Sequence, residues 1–213
     1  MLKEHTATDW REARRRSARE SIVDAAWEVV HEEGLAALSL RDLARRAGIT
    51  TPTVYAYFDS KNAIYDAMFG RAAESFADRM TQPFEASDPS DLLVAHARRF
   101  VEFCTSDVAR YQLLFQRTIP NFEPSVESYA PAIQALEVAR DCLALNGTKQ
   151  PRHLDLWTAL ISGLVDQQVS NDPGGDRWTQ LIEEAVTMFL VHSRSAPPAR
   201  KLKSHGSTKG TRP

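Results

Sequence analysis

The chain has 213 residues, 43% of them hydrophobic and 25% charged, with a formal net charge of −2. That balance suits a globular protein with a sizeable core and excludes a highly charged or low-complexity disordered chain. No apolar run approaches the roughly 18 residues of a membrane span, and Met1-Leu2-Lys3-Glu4-His5-Thr6 has no apolar signal region, so a cytoplasmic protein without a membrane partner is expected.

Gly and Pro punctuate a pattern that reads as helix almost throughout, with no alternating strand signature. A first helix is predicted from about Arg16 to Glu33. Its stripe is Ile22, Ala26, Val29 and Val30, and Gly34 supplies its left-handed stop. Ser39-Leu40-Arg41-Asp42 reads as a capping box opening a second helix that ends at Gly48. Thr51 is the expected N-cap and Pro52 the expected first residue of a third helix running to about Phe58; Ser60 caps a fourth. Further helices are expected from Pro89 to about Thr105, Val108 to Gln116, the Pro120/Pro124 loop to Leu145, Pro151 to about Ser170, and Asp176 to His192. The fold class is therefore all-α, with about nine helices: an N-terminal three-helix helix-turn-helix domain and a C-terminal helical domain. The expected division is a flexible basic arm over 1–15, the helix-turn-helix over 16–62, the ligand-binding and dimerisation domain over 63–193, and a disordered basic tail over 194–213.

Charge is unevenly spread. Residues 1–71 carry 11 basic and 11 acidic groups, residues 72–193 carry 9 and 17, and residues 194–213 carry 6 and none. An acidic body repels phosphate, so contact with nucleic acid belongs to the flanks. Arg11, Arg14, Arg15, Arg16 and Arg19 precede or open the first helix, where they oppose its dipole. They suit either minor-groove entry or a place along phosphates.

Ser39 to Phe58 carries the functional signal. At about 100° per residue, Val54 and Phe58 face Leu43 and Ala44, while Pro52, Thr53 and Ala56 point away and Tyr55 and Tyr57 flank them. A groove-reading helix needs small or hydrogen-bonding residues outward. Tyrosine hydroxyls and Lys61 can reach phosphate. The same tyrosines also suit ordinary surface packing.

Ser39-Leu40-Arg41-Asp42-Leu43-Ala44, then Ala47-Gly48-Ile49-Thr50, then Thr53-Val54-Tyr55-Ala56-Tyr57-Phe58-Asp59-Ser60-Lys61 closely resembles the DNA-binding domain of tetracycline-repressor (TetR) family regulators. The family pattern reads roughly T-x-x-x-I-A-x-x-A-G-V-S-x-x-x-x-Y-x-Y-F-x-x-K, and the resemblance is detailed over about 16–65. It implies contacts to DNA backbone or bases from Arg41 and base contacts from Thr51 and Thr53, with Thr50 just before them. It also implies a phosphate contact from Tyr57, with Tyr55 as its aromatic partner and Lys61 as the following lysine; Arg16 joins this set from the basic arm. Two departures bear on specificity: Pro52 removes a donor, and the recognition helix has no Lys or Arg for bidentate guanine readout.

In the second half, Leu154, Trp157, Leu160, Ile161, Leu164 and Val165 make one stripe, with Ala159 and Gly163 permitting close approach; Ile182, Val186 and Phe189 lie on the last helix. A four-helix dimer interface built from two subunits is expected, as in the family. Its named members are Trp157, Leu160, Ile161, Leu164, Val165, Ile182, Val186 and Phe189. A sensor cavity is expected between the fourth helix and the Trp157 helix, lined by Phe69, Phe100, Phe103, Cys104, Tyr111, Phe115, Phe122 and Trp157. Phe76, Leu114 and Tyr129 are further candidates, and His96, Arg99 and Gln112 are possible polar anchors. Each also suits plain core, and the aromatic bias points to a mostly apolar ligand.

No phosphate loop, nucleophile elbow, carboxylate pair or metal motif occurs. Cys104 and Cys142 read as reduced core thiols. No catalysis, metal or cofactor is expected. The sequence thus predicts a homodimeric regulator that binds a palindromic double-stranded operator and answers to a small-molecule effector. Repression is the first expectation. Activation and a ligand-free architectural binder stay open.

Overall fold

The computed structural model describes residues 7–195. Residues 1–6, and 196–213 of the expected tail, lie outside that range. All regular structure among the described residues is helical: α1 (Ala7–Glu33), α2 (Leu40–Arg46), α3 (Thr51–Tyr55), α4 (Lys61–Thr81), α5 (Pro89–Ser106), α6 (Val108–Phe115), α7 (Val126–Leu145), α8 (Pro151–Asn171) and α9 (Ile182–Ser195), with 3-10 turns at Leu35–Ala37 and Thr179–Leu181.

The caps read from sequence at Ser39 and Ser60 are the observed ones, and Ser125 is a cap not expected from the sequence. The hydroxyls of Ser39, Ser60 and Ser125 accept the N–H of Asp42, Ala63 and Ser128, opening α2, α4 and α7. The expected Ser39 capping box closes differently at its second half: Asp42 returns to the Ser39 hydroxyl rather than to its backbone. Pro89 and Pro151 sit in the first turns of α5 and α8, where the missing N–H has no intrahelical acceptor in any case.

Three expectations change. The flexible arm expected over 1–15 is helical from Ala7, and α1 starts nine residues earlier than predicted. No Gly or Pro occurs before Gly34, Ala, Arg and Glu are strong helix formers, and Glu12–Arg16 stands at a favourable i,i+4 spacing. The cap of α3 is Thr50 rather than Thr51, with Pro52 in the second helical position. The last helix starts at Ile182, because Asp172, Gln168 and the 3-10 turn organise residues 172–181 into a loop.

Two apolar cores divide the molecule. The first joins α1, α2, α3 and the N-terminal half of α4 around Ile22, Val29, Leu43, Val54, Phe58 and Met68. The second joins the end of α4 to α5–α9 around Phe76, Leu93, Val101, Trp157, Val165 and Val186. Helix α4 therefore belongs to both, and its most extensive partner is α7. Asp66 fixes that pairing: it accepts the Ser125 N–H at 2.7 Å and the Ser125 and Ser128 hydroxyls at 3.0 Å each. Gly70 lets the helices close up, since a Cβ there would stand 3.1 Å from the Ser128 hydroxyl.

Candidate nucleic-acid interface and ligand cavity

Helices α2 and α3 are joined by a turn in which Gly48 has φ 66°. Leu43, Ala44, Val54 and Phe58 are buried together. On the opposite side of α3, Pro52 and Ala56 are exposed and Tyr55 is 52% exposed. Thr50 and Thr53 share a 2.8 Å hydroxyl contact, and the Thr53 N–H reaches Thr50 Oγ1 at 3.4 Å. One hydroxyl hydrogen serves that pair, which leaves one donor and spare lone pairs facing outward. Thr51 and Tyr57 are half-buried beside this face, and Arg41 is exposed on α2. Lys61 is half-buried, with Nζ 5.4 Å from the Tyr65 ring centroid.

The arginines divide by task. Arg46 pairs with Glu32 and ties α2 to α1. Arg19 donates to the Tyr57 carbonyl and lies 4.1 Å over the Phe58 ring, so it supports the recognition unit from behind. Arg11, Arg15, Arg19 and Ile22 succeed one another at spacings of 4, 4 and 3, which places them on one face of α1. Arg11, Arg14, Arg15 and Arg16 are exposed, and Arg16 borders a surface groove with Arg19 and Glu20.

A second site lies in the other core. A cavity of about 540 Å³ is walled by Phe76 of α4, Phe100 of α5, Phe115 of α6, Leu136 of α7 and Trp157 of α8. Of the expected lining, Phe100, Phe115 and Trp157 stand in this wall, as do Phe76, Leu114, Tyr129 and His96. Phe69 and Phe122 border a neighbouring pocket of about 270 Å³ beneath the 116–124 loop, which shares Leu114, Phe115 and Tyr129 with the larger one.

Phe103, Cys104 and Tyr111 are corrections, since none of them lines either pocket. Phe103 packs on Phe76 with ring centroids 5.1 Å apart, Cys104 has no exposed surface, and the Tyr111 hydroxyl donates to Asp166 at 2.7 Å. Burial pushes the Cys104 thiol well above its ordinary range, so it stays protonated. Arg99 and Gln112 also stand outside the lining.

The expected dimer residues separate into two rows. Trp157, Ile161, Val165, Ile182, Val186 and Phe189 are buried within the single chain. This corrects their assignment, because a side chain enclosed by its own subunit has no surface left for another. Leu160 and Leu164 are half-buried at the edge of the second core, in line with exposed Leu156. Leu181, Met188 (57% exposed) and Val191 (64% exposed) form an apolar row leading into and along α9.

Three features escaped the sequence. The α7 wall of the cavity (Ala135, Leu136, Ala139) gave no aromatic signal. The Asp66 clamp spans 59 residues or more. The third joins α1 to α6: His31 Nε2 lies 3.0 Å from Asp107 Oδ2, and Asp107 is the N-cap of α6. Burial raises the Asp107 pKa, yet hydrogen bonds from the Arg110 N–H, the Arg110 guanidinium and His31 hold it below its ordinary value.

Residues 22–68 match the family described as "Bacterial regulatory proteins, tetR family". Over that segment the chain is similar to TetR-family regulators. Tetracycline repressor protein class D from Escherichia coli is 44% identical over 50 residues, 24% of this chain and 23% of that one. HTH-type transcriptional activator FasR from Mycolicibacterium smegmatis is 29% identical over 99 residues, 46% of this chain and 45% of that one. The chain thus matches these relatives over less than half their length. Solved structures match more of the fold. A tetR-family transcriptional regulator from Streptomyces coelicolor superposes with a TM-score of 0.61 at 22% identity, covering 82% of this chain and 79% of that one. FadR from Bacillus subtilis in complex with stearoyl-CoA gives 0.58 at 20% identity, covering 80% and 97%. The architecture is that of these proteins: an N-terminal helix-turn-helix followed by a C-terminal helical domain.

Proposed function

We propose that the protein is a dimeric, sequence-specific transcriptional regulator that represses by holding a palindromic operator and releases it when a small, mostly apolar ligand fills the 540 Å³ cavity. The observation that carries this reading is the helix-turn-helix of residues 39–58, with Val54 and Phe58 in the core and Pro52, Thr53, Tyr55 and Ala56 outward. In this reading Thr50, Thr51 and Thr53 face base edges, and Arg41, Tyr55, Tyr57 and Lys61 face the backbone. Arg15 and Arg11 stand about one and two turns beyond Arg19, about 6 Å per step. A helix about 10 Å wide does not enter a minor groove of about 6 Å, so Arg11, Arg14, Arg15 and Arg16 lie along flanking phosphates.

We divide the chain functionally at about residue 62, with α4 as the connector. A single α3 reads only a few base pairs, whereas two held about 34–36 Å apart read successive major grooves. The outer rows of α8 and α9 (Leu156, Leu160, Leu164, Met188, Val191) supply the surface for that pairing. Two links carry the ligand's effect to the DNA-binding unit: Asp66 ties the α7 wall to α4, and His31–Asp107 ties α6 to α1. Hundredfold release requires the ligand to favour the non-binding conformer by about 2.7 kcal/mol. FasR is named an activator, so activation is the second reading; it uses the same surfaces with the opposite regulatory sign. In either reading the protein is cytoplasmic and not an enzyme.

Selection of bound duplexes from a random pool tests the proposal. Enrichment of a two-half-site motif, with one dimer per site, is the expected result; a pool without sequence preference contradicts it.

A further inference from the structure

The cavity has one polar group at its inner wall. His96 of α5 is 4% exposed and lines the cavity, and neither Nδ1 nor Nε2 has a hydrogen-bond partner among the described residues. Its neighbours are rings: Trp157 at 6.1 Å and Phe84 at 6.3 Å between centroids. A phenylalanine fills such a place without burying two polar atoms, each of which costs about 1–3 kcal/mol when unsatisfied. A histidine here is therefore best explained by a group that enters the cavity and meets it.

The rest of the lining limits what that group is. Its other polar members are Asp155, Thr158, Ser162 and the hydroxyl-bearing Tyr129, and no Lys or Arg belongs to it. Arg99, three residues after His96, is engaged elsewhere: it donates to the carbonyls of Gln82 and Pro83 and lies 3.8 Å over the Phe84 ring. The cavity thus offers no cation to an anionic head, and Asp155 repels one.

We propose that the cavity takes an uncharged, mainly apolar molecule whose single hydrogen-bonding oxygen meets the His96 imidazole. A neutral imidazole presents one donor and one acceptor. A hydroxyl uses both, and a carbonyl uses the donor. Burial, reinforced by the Arg99 charge, holds His96 down to about 4, so at neutral pH it gives no positive charge to a carboxylate. The inference rests on the sensor reading of the cavity and specifies the chemistry recognised there.

Calorimetric titration of the full chain at pH 7.5 tests it with two matched pairs: 1-decanol against decanoate, and 2-naphthylmethanol against 2-naphthoate. Saturable binding of at least one alcohol, about tenfold or more tighter than its acid, is expected, tenfold being the scale of one hydrogen bond. His96→Phe should lower alcohol affinity about tenfold, while His96→Asn, which keeps a donor and an acceptor, should lower it less. An acid binding as tightly as its alcohol, no binding by either alcohol, or a His96→Phe protein that binds alcohol like the parent overturns the inference. The alcohol–acid comparison uses only the unaltered chain, so it stands even if a variant fails to fold. Adding the same alcohols to the protein–operator complex separates the two claims. Binding without release contradicts the regulatory reading alone, and release by acids alone contradicts only the inference.

Discussion

At the scale of single residues, the outward threonines and the rim groups differ in what they should do to binding. The Thr50 and Thr53 hydroxyls share one hydrogen, and in the proposed reading the other donor meets a base edge. Thr53→Val should relax the base preference at one operator position by about 1–3 kcal/mol, measured by competition with single-base operator variants. Lys61→Ala should weaken operator and unrelated duplex alike, and should lower the slope of log affinity against log salt by about 1. His96 makes a separate prediction on stability. Its pKa is depressed to about 4 in the folded chain, against about 6.5 when unfolded. Below about pH 6.5 the unfolded state binds the extra proton, so stability falls as pH drops from about 6.5 toward about 4 and levels off beyond it. Burial also lowers His153, with the Arg152 and His192 charges adding to the effect, which acts in the same direction. Urea unfolding at pH 7.5 and pH 5 should therefore show a loss that is smaller in His96→Phe; an equal loss in both proteins contradicts the assignment.

At the scale of elements, the structure depends on turns and clamps more than on helix propensity. Gly34 has φ 85° and ψ 165°, a region open essentially to glycine alone. A Cβ there meets nothing within 4 Å, so Gly34→Ala should destabilise through the backbone by about 1–3 kcal/mol, read as a lower urea midpoint at unchanged slope. The sequence foretold a left-handed stop at this position; the stop is there, but its geometry lies outside the left-handed helical region. Helix starts at Ser39, Ser60 and Pro89 were legible because each signal acts within three residues of itself. The Asp66 clamp was not, since its partners stand 59 and 62 residues away. Asp66→Ala should leave separate ligand and DNA affinities nearly intact while reducing their coupling, measured as operator affinity with and without saturating ligand.

At the scale of the whole molecule, the same distinction between local and long-range information explains which readings changed. A stripe such as Trp157–Leu160–Ile161–Leu164–Val165 shows that α8 has an apolar side. It does not say which part faces its own subunit. The fold divides it, burying Trp157, Ile161 and Val165 and leaving Leu160 and Leu164 half-buried at the core's edge. Phe100 and Cys104 likewise sit one turn apart on α5, yet only Phe100 reaches the cavity. The outer row is where pairing should be sensitive. Leu160→Glu combined with Met188→Glu should shift sedimentation from dimer toward monomer without loss of helicity, and operator affinity should fall with it, because one α3 cannot span two grooves.

The central claim is that the face of α3 reads DNA sequence. Fluorescence anisotropy on a duplex enriched by selection, against a scrambled duplex of equal length and composition, tests it most directly at two salt concentrations. The account predicts a preference of about a thousandfold or more, with affinity for both duplexes falling as salt rises and the preference sharply reduced in Thr51→Val combined with Thr53→Val. Equal binding to the two duplexes, or a preference untouched by those substitutions, would contradict it.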